Sequence, residues 1–147
     1  MQELLVGLAL WLGANSPYTI SPAQLPAVEY RAQIELRRMV FCEDFKECDN
    51  QKLPDIGIAA TYEHKRLTMY LPREFDIRDQ QQVATLVHEL VHHGQKLAGK
   101  FESASCVGSL EAEAYRIEDR WLVANGLPPT VQTLAIIMAQ TCIPGPT

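Results

Sequence analysis

The sequence has no C-x-x-C pair, no apolar run long enough to cross a membrane and no surplus of positive charge. The first absence argues against a cysteine-ligated zinc knuckle, which needs thiolates at short spacing. The second leaves no span of about 20 apolar residues for a bilayer-crossing helix. Lys and Arg number 13 against 18 Asp and Glu, a net charge of -5. Nucleic acid is therefore not expected as the main partner, because no basic stripe exists to neutralise phosphates. Like charges do not run together into a tail. What remains is ordinary globular composition, 47% apolar and 21% charged. At 147 residues it suits one domain spanning 1–147, with a core too small for a two-lobed enzyme.

The stretch that stands out is His88-Glu89-Leu90-Val91-His92. It lies in an amphipathic run from about Ile77 to Leu97, where Val83, Leu86, Val87, Leu90, Gly94 and Leu97 form one stripe and the two histidines fall nearly opposite it. Residues four apart share a helix face, so His88 and His92 can offer two nitrogens to one zinc ion. Glu89 points about 100° further round the helix, placed to take a proton from a water without binding the metal. The pattern thus predicts two metal ligands, a general base and hydrolysis of a carbonyl compound. His93 falls towards the apolar side and is expected to pack or face solvent.

Around this helix the chain reads as α+β, helix-rich, with a small antiparallel or mixed sheet. Leu4 to Gly13 predicts a first helix, halted by Gly-Ala-Asn-Ser-Pro at 13–17. Pro26 to Tyr30 predicts a short strand, and Arg31 to Phe41 a helix. Ile56 to Tyr62 and Leu67 to Leu71 predict a hairpin about a polar turn, whose edge could take an extended peptide. Asp76 or Asp79 can cap the motif helix. Ala98 to Ser109 reads as a loop, a second ligand helix opens near Leu110, and Pro129 to Thr141 predicts a last helix.

Four cysteines allow three pairings. Position favours Cys42 with Cys48 across a short charged loop, and Cys106, just before one expected helix, with Cys142, just after another. Two disulfides point to an oxidising compartment, periplasmic or secreted. The apolar Leu4 to Leu12 stretch follows Glu3 rather than a basic residue and lacks a small-x-small cleavage site, so it reads as a domain helix rather than a signal peptide.

Catalytic zinc takes three protein ligands and keeps a fourth position for water. A third histidine of the metzincin kind is absent, since Gln95 and Ala98 stand where that motif needs Gly and His. A carboxylate on a second helix is the remaining common solution, and Glu111-Ala112-Glu113-Ala114-Tyr115 opens such a helix. With these residues, over roughly 56–122, the sequence resembles the gluzincins, and more closely small bacterial minimal-gluzincin domains. The resemblance implies a zinc metallopeptidase with one Zn2+ per chain, His88 and His92 as ligands, Glu89 as the base and a peptide or protein as substrate. It places the third ligand on a glutamate followed by alanine, which fits both Glu111 and Glu113.

Those two point about 160° apart on a helix, so one alone can face the metal. The E-x-E-A-Y form favours Glu113, with Glu111 the alternative. Thermolysin-like members carry an aspartate four residues after the ligand; counting from Glu113, Ile117 stands there, and counting from Glu111, Tyr115. Tyr115 and His93 are candidates for stabilising charge on the attacked carbonyl. The rival function is a zinc-stabilised, catalytically silent interaction domain that keeps the claw as a clamp. A closed fourth coordination position would mark it. Oligomeric state is left open by the sequence.

Overall fold

A computed structural model describes residues 1–42 and 47–130. Helix α1 (Gln2–Asn15) leads through an irregular crossing into strand β1 (Ala27–Arg31) and helix α2 (Gln33–Phe41). Strands β2 (Thr61–Glu63) and β3 (Thr68–Pro72) follow, then α3 (Gln80–Leu97), the single turn α4 (Lys100–Ser103) and α5 (Val107–Ala124). The helix expected at Pro129 to Thr141 lies almost wholly outside the described residues.

The fold is helix-rich α+β with a three-stranded mixed sheet, as the sequence pattern predicts. Its order is β1-β3-β2, with β1 parallel and β2 antiparallel to the central β3. β3 is buried along its length and its side chains alternate between two cores. Met69 and Leu71 join α1, α3 and α5 in the main core, whereas Tyr70 faces away and packs with Leu36 of α2 and Ile58. The layers therefore run α2, sheet, α3, and then α1 and α5.

The first arm of the hairpin is shorter than its β-prone sequence predicts. Gln33 on α2 binds both the backbone nitrogen and the carbonyl of Ile58, and Arg37 donates to the Ile56 carbonyl. Side chains thus take the backbone groups that a longer ladder would have used, and pairing begins only at Thr61. The expected loop before α5 also differs, because Gly99 in a left-handed conformation ends α3 and lets the chain make the turn α4.

Asp79 caps α3, accepting from the backbone nitrogens of Gln81 and Gln82. That settles the choice of cap, since Asp76 is engaged by Arg78 instead. The helix then runs through the centre of the molecule, and nearly every residue from Val83 to Gln95 is buried. Its histidine face, nearly opposite the apolar stripe, packs largely against α5. No helix among the described residues is long and apolar enough to cross a membrane.

Gly94 occupies an interior helical position, where glycine costs about 1 kcal/mol relative to alanine. Space explains it: a Cβ there would meet Tyr18 Cβ at 2.8 Å and Cγ at 2.9 Å. These are the fixed root atoms of a buried side chain rather than its movable end. Gly94→Ala therefore gains helix propensity but overpacks the core, which costs about 1–3 kcal/mol. A net destabilisation of up to about 2 kcal/mol in urea unfolding is expected. A midpoint at or above the native value would show that Tyr18 is free to withdraw.

Candidate metal centre

His88 and His92, one turn apart on α3, bring their Nε2 atoms to 3.1 Å from each other. Glu111 reaches across from the first turns of α5, with Oε2 3.3 Å from His88 Nε2 and Oε1 3.3 Å from His92 Nε2. These three residues are the group among the described residues whose donor atoms could hold a metal ion. Donors about 2.0–2.1 Å from one tetrahedral ion stand about 3.3–3.4 Å apart, close to these separations, although the two from Glu111 run to different oxygens.

The donor chemistry agrees with the spacing. His88 Nδ1 lies 3.1 Å from Glu118 Oε2, and a carboxylate only accepts, so Nδ1 carries a hydrogen and Nε2, facing His92 and Glu111, is the nitrogen left to take a proton or a metal ion. Two imidazole nitrogens and a carboxylate brought together, largely shielded from water, could hold a divalent cation. Burial on its own pulls the His88 imidazole down, but Glu111 and Glu118 outweigh it and hold the group up at about 10. His92 is displaced upward in the same way, burial opposing and Glu111 prevailing. For Glu111 burial pushes up, yet the two histidines bring its carboxyl well below the usual range. The carboxylates thus favour positive charge at the centre, which the imidazoles carry as protons when no metal is bound.

Of the two glutamates open to the third position, the geometry selects Glu111. Glu113, favoured by the E-x-E-A-Y form, is turned to the far side of His92. There it accepts from the Tyr18 hydroxyl and from Gln95 Nε2 at 2.9 Å, with Lys100 Nζ 3.5 Å away. The reason is the rotation of α5: Leu110, Ala114, Ile117 and Trp121 enter the core, and the side of that stripe bearing Glu111 and Glu118 faces α3.

Glu89 is 8% exposed and coupled electrostatically to both histidines, Glu111 and Glu118. Burial raises its pKa, the histidines draw it back, and the neighbouring carboxylates push it up again, leaving it above the ordinary glutamate value. A carboxylate displaced in that direction is a better proton acceptor near neutral pH. Tyr115 lies against His88, with ring centroids 4.5 Å apart. Its hydroxyl is pushed up first by burial and then by Glu111, Glu118 and Glu89, so it holds its proton and can donate.

His93 does not share that position. Its Nδ1 is 2.8 Å from the Tyr62 hydroxyl and its Nε2 is 2.6 Å from the Gln24 carbonyl. With both nitrogens engaged and 1% exposure, it pins α3 to β2 and to the N-terminal crossing. Desolvation lowers its pKa, so the ring is neutral. It has no free atom for an oxyanion.

Several neighbours escaped the sequence reading. Glu118 had a signal, since it stands seven residues after Glu111 and so within about 20° of it on the helix. Gln95 had one too, seven residues after His88; its Oε1 lies 2.8 Å from His92 Nδ1. Phe101 had none: it stacks on His64 at 4.8 Å and stands 6.4 Å from the His92 ring, a meeting of β-turn and α4 that only the fold creates. Cys42 and Cys48 are joined by a disulfide, with Cα atoms 5.8 Å apart. Cys106 is also disulfide-bonded, and Cys142, assigned to it by position, lies outside the described residues.

A family model described as Domain of unknown function (DUF6647) matches residues 1–145, and the chain belongs to that family. No curated protein and no solved structure matches it.

If Glu111 is the third ligand, Glu111→Ala leaves two nitrogens, which do not make a stable catalytic site. After zinc loading and a mild chelator wash, elemental analysis is expected to find one zinc per native chain and essentially none in Glu111→Ala. Full retention by the variant would refute the assignment.

Proposed function

We propose that this chain is a zinc-dependent metallopeptidase of gluzincin type. The observation that carries the reading is the number and kind of converging donors: two imidazoles and one carboxylate, three and not four among the described residues. Structural zinc sites close the coordination shell with a fourth protein ligand, whereas catalytic sites leave it to water. That favours an enzyme over a silent zinc-clamped interaction domain.

Zinc, when bound by His88, His92 and Glu111, supplies Lewis acidity and brings the pKa of a water down towards about 7. Glu89 takes the proton as the water attacks the peptide carbonyl, and later returns it to the leaving amine. Its position beside both ligand histidines and its raised basicity suit both steps. Tyr115, with its hydroxyl protonated and its ring against His88, is the donor for charge developing on the carbonyl oxygen. β2 is one of the two edge strands of the sheet and touches α3 through Tyr62 and His93. Its free side can pair with an extended peptide and carry it past the ligands.

The Cys42–Cys48 bridge supports an oxidising location, periplasmic or extracellular. Peptide or protein is the substrate class, because the chemistry delivers water to an amide and the edge strand offers backbone pairing.

Glu89→Gln separates the base from the metal site. It is expected to keep one zinc per chain and the native unfolding curve while losing about 10²–10⁴-fold in turnover of a peptide library. Native turnover in this variant, with zinc retained, would eliminate Glu89 as the base.

A further inference from the structure

The sequence offers two glutamates in E-A-E-A, and the one that does not reach the ligand set is tied to it from behind. Gln95 lies within hydrogen-bond reach of His92 Nδ1 at 2.8 Å. An amide can present either its oxygen or its nitrogen, and which it presents is set by its other partners. Here the Gln95 nitrogen has two acceptors, the Leu110 carbonyl at 2.9 Å and Glu113 Oε2 at 2.9 Å. Neither can donate to it. The amide oxygen therefore faces His92, which must carry its hydrogen on Nδ1 and leave the Nε2 lone pair for the metal.

Glu113 is itself held. Tyr18 donates its hydroxyl to Oε2, and Lys100 Nζ stands 3.5 Å from Oε1 and 5.1 Å from the centre of the Tyr18 ring. Tyr18 reaches this place by lying directly over Gly94, where any side chain would exclude it. Gln95 is fully buried, so water does not compete for its groups. Four parts of the chain, namely the N-terminal crossing, α3, α4 and α5, thus converge on the tautomer of one imidazole.

We infer that Glu113 is a positioning residue for metal binding, acting through Gln95 to fix His92 in its ligating tautomer, with Tyr18 holding Glu113 in turn. This rests on the metal-centre reading above. The two ligand histidines are oriented by different devices: His88 directly by the Glu118 carboxyl, and His92 by a neutral amide whose direction the Leu110 carbonyl and the Glu113 carboxylate set together. Partners of this kind behind ligating histidines typically contribute 10–100-fold to metal affinity.

The test is a double-mutant cycle on metal binding, read without any substrate. Zn2+ affinity is measured by competition with a chromophoric chelator, and the visible spectrum of the Co2+ form reports ligand geometry. Glu113→Gln and Gln95→Leu are each expected to weaken Zn2+ by about 10–100-fold and to alter the Co2+ bands. The double variant should be no weaker than Gln95→Leu alone, because Glu113 has no route to His92 except through that amide. Thermal unfolding of the metal-free proteins checks folding. Should Glu113→Gln fail to fold, Tyr18→Phe, which keeps the ring over Gly94, enters the same cycle with the same expected non-additivity. Multiplicative losses in the double variant, or native affinity and spectrum in Glu113→Gln, would overturn the relay while leaving the metal centre standing. A native protein that takes up neither ion would overturn both.

Discussion

The structure depends on one contact, the burial of a polar seam between α3 and α5. His88, Glu89, His92 and Gln95 on one helix and Glu118 on the other are nearly all withdrawn from water, and unpartnered groups of this kind cost several kcal/mol each on burial. Their partners come from the facing helix and from each other, so the two helices are held in one relative rotation and translation. Apolar packing alone is more permissive, since cores tolerate rearranged side chains of similar volume. Here a slip of one helical turn would strand carboxylates opposite aliphatic residues.

The surrounding elements serve that seam. The sheet and α1 close over the apolar side of α3. The Tyr62–His93–Gln24 bridge fixes the adjacent face of the same helix to β2 and the N-terminal crossing. Gly94 removes the one side chain that would keep Tyr18 away. Placing a glycine inside the central helix runs against local propensity, and the reason lies wholly in what it admits.

Much of this was legible because it is local or periodic. The claw of His88 and His92 follows from spacing along one helix, a cap at Asp76 or Asp79 from their place before the apolar run, and the hairpin from β-prone runs about a polar turn. What spacing does not decide is how two helices are rotated against each other, and the third ligand turns on that rotation. Glu111 and Glu113 look equivalent as members of E-A-E-A. The discriminating sign was Glu118, aligned with Glu111 at seven residues' separation, which marks a polar line facing α3. Gln95 was read only as a missing glycine of another motif, although its alignment with His88 put it on the same line. Ile56 to Ala60 failed for a different reason: Gln33 and Arg37, distant in sequence, occupied its backbone. No local pattern contains that.

Charge gives the seam its chemical direction. Glu89, Glu111 and Glu118 surround two imidazoles that are neutral only when Nε2 is unprotonated, and in that state the cluster carries up to three negative charges in a medium that solvates them poorly. A dication at the point where the donors meet brings that sum to one negative charge, and a single proton on Glu89 brings it to zero. The same cluster, offered only protons, holds them tightly, which is why His88 sits near 10 despite burial that opposes it. Metal ions and protons therefore compete for one electrostatic need. The carboxylate left to exchange a proton is Glu89, raised above the ordinary glutamate range and outside the ligand set. Burial of the seam, which the fold needs for its register, thereby also raises the basicity of the one group to which the proposed chemistry assigns a proton.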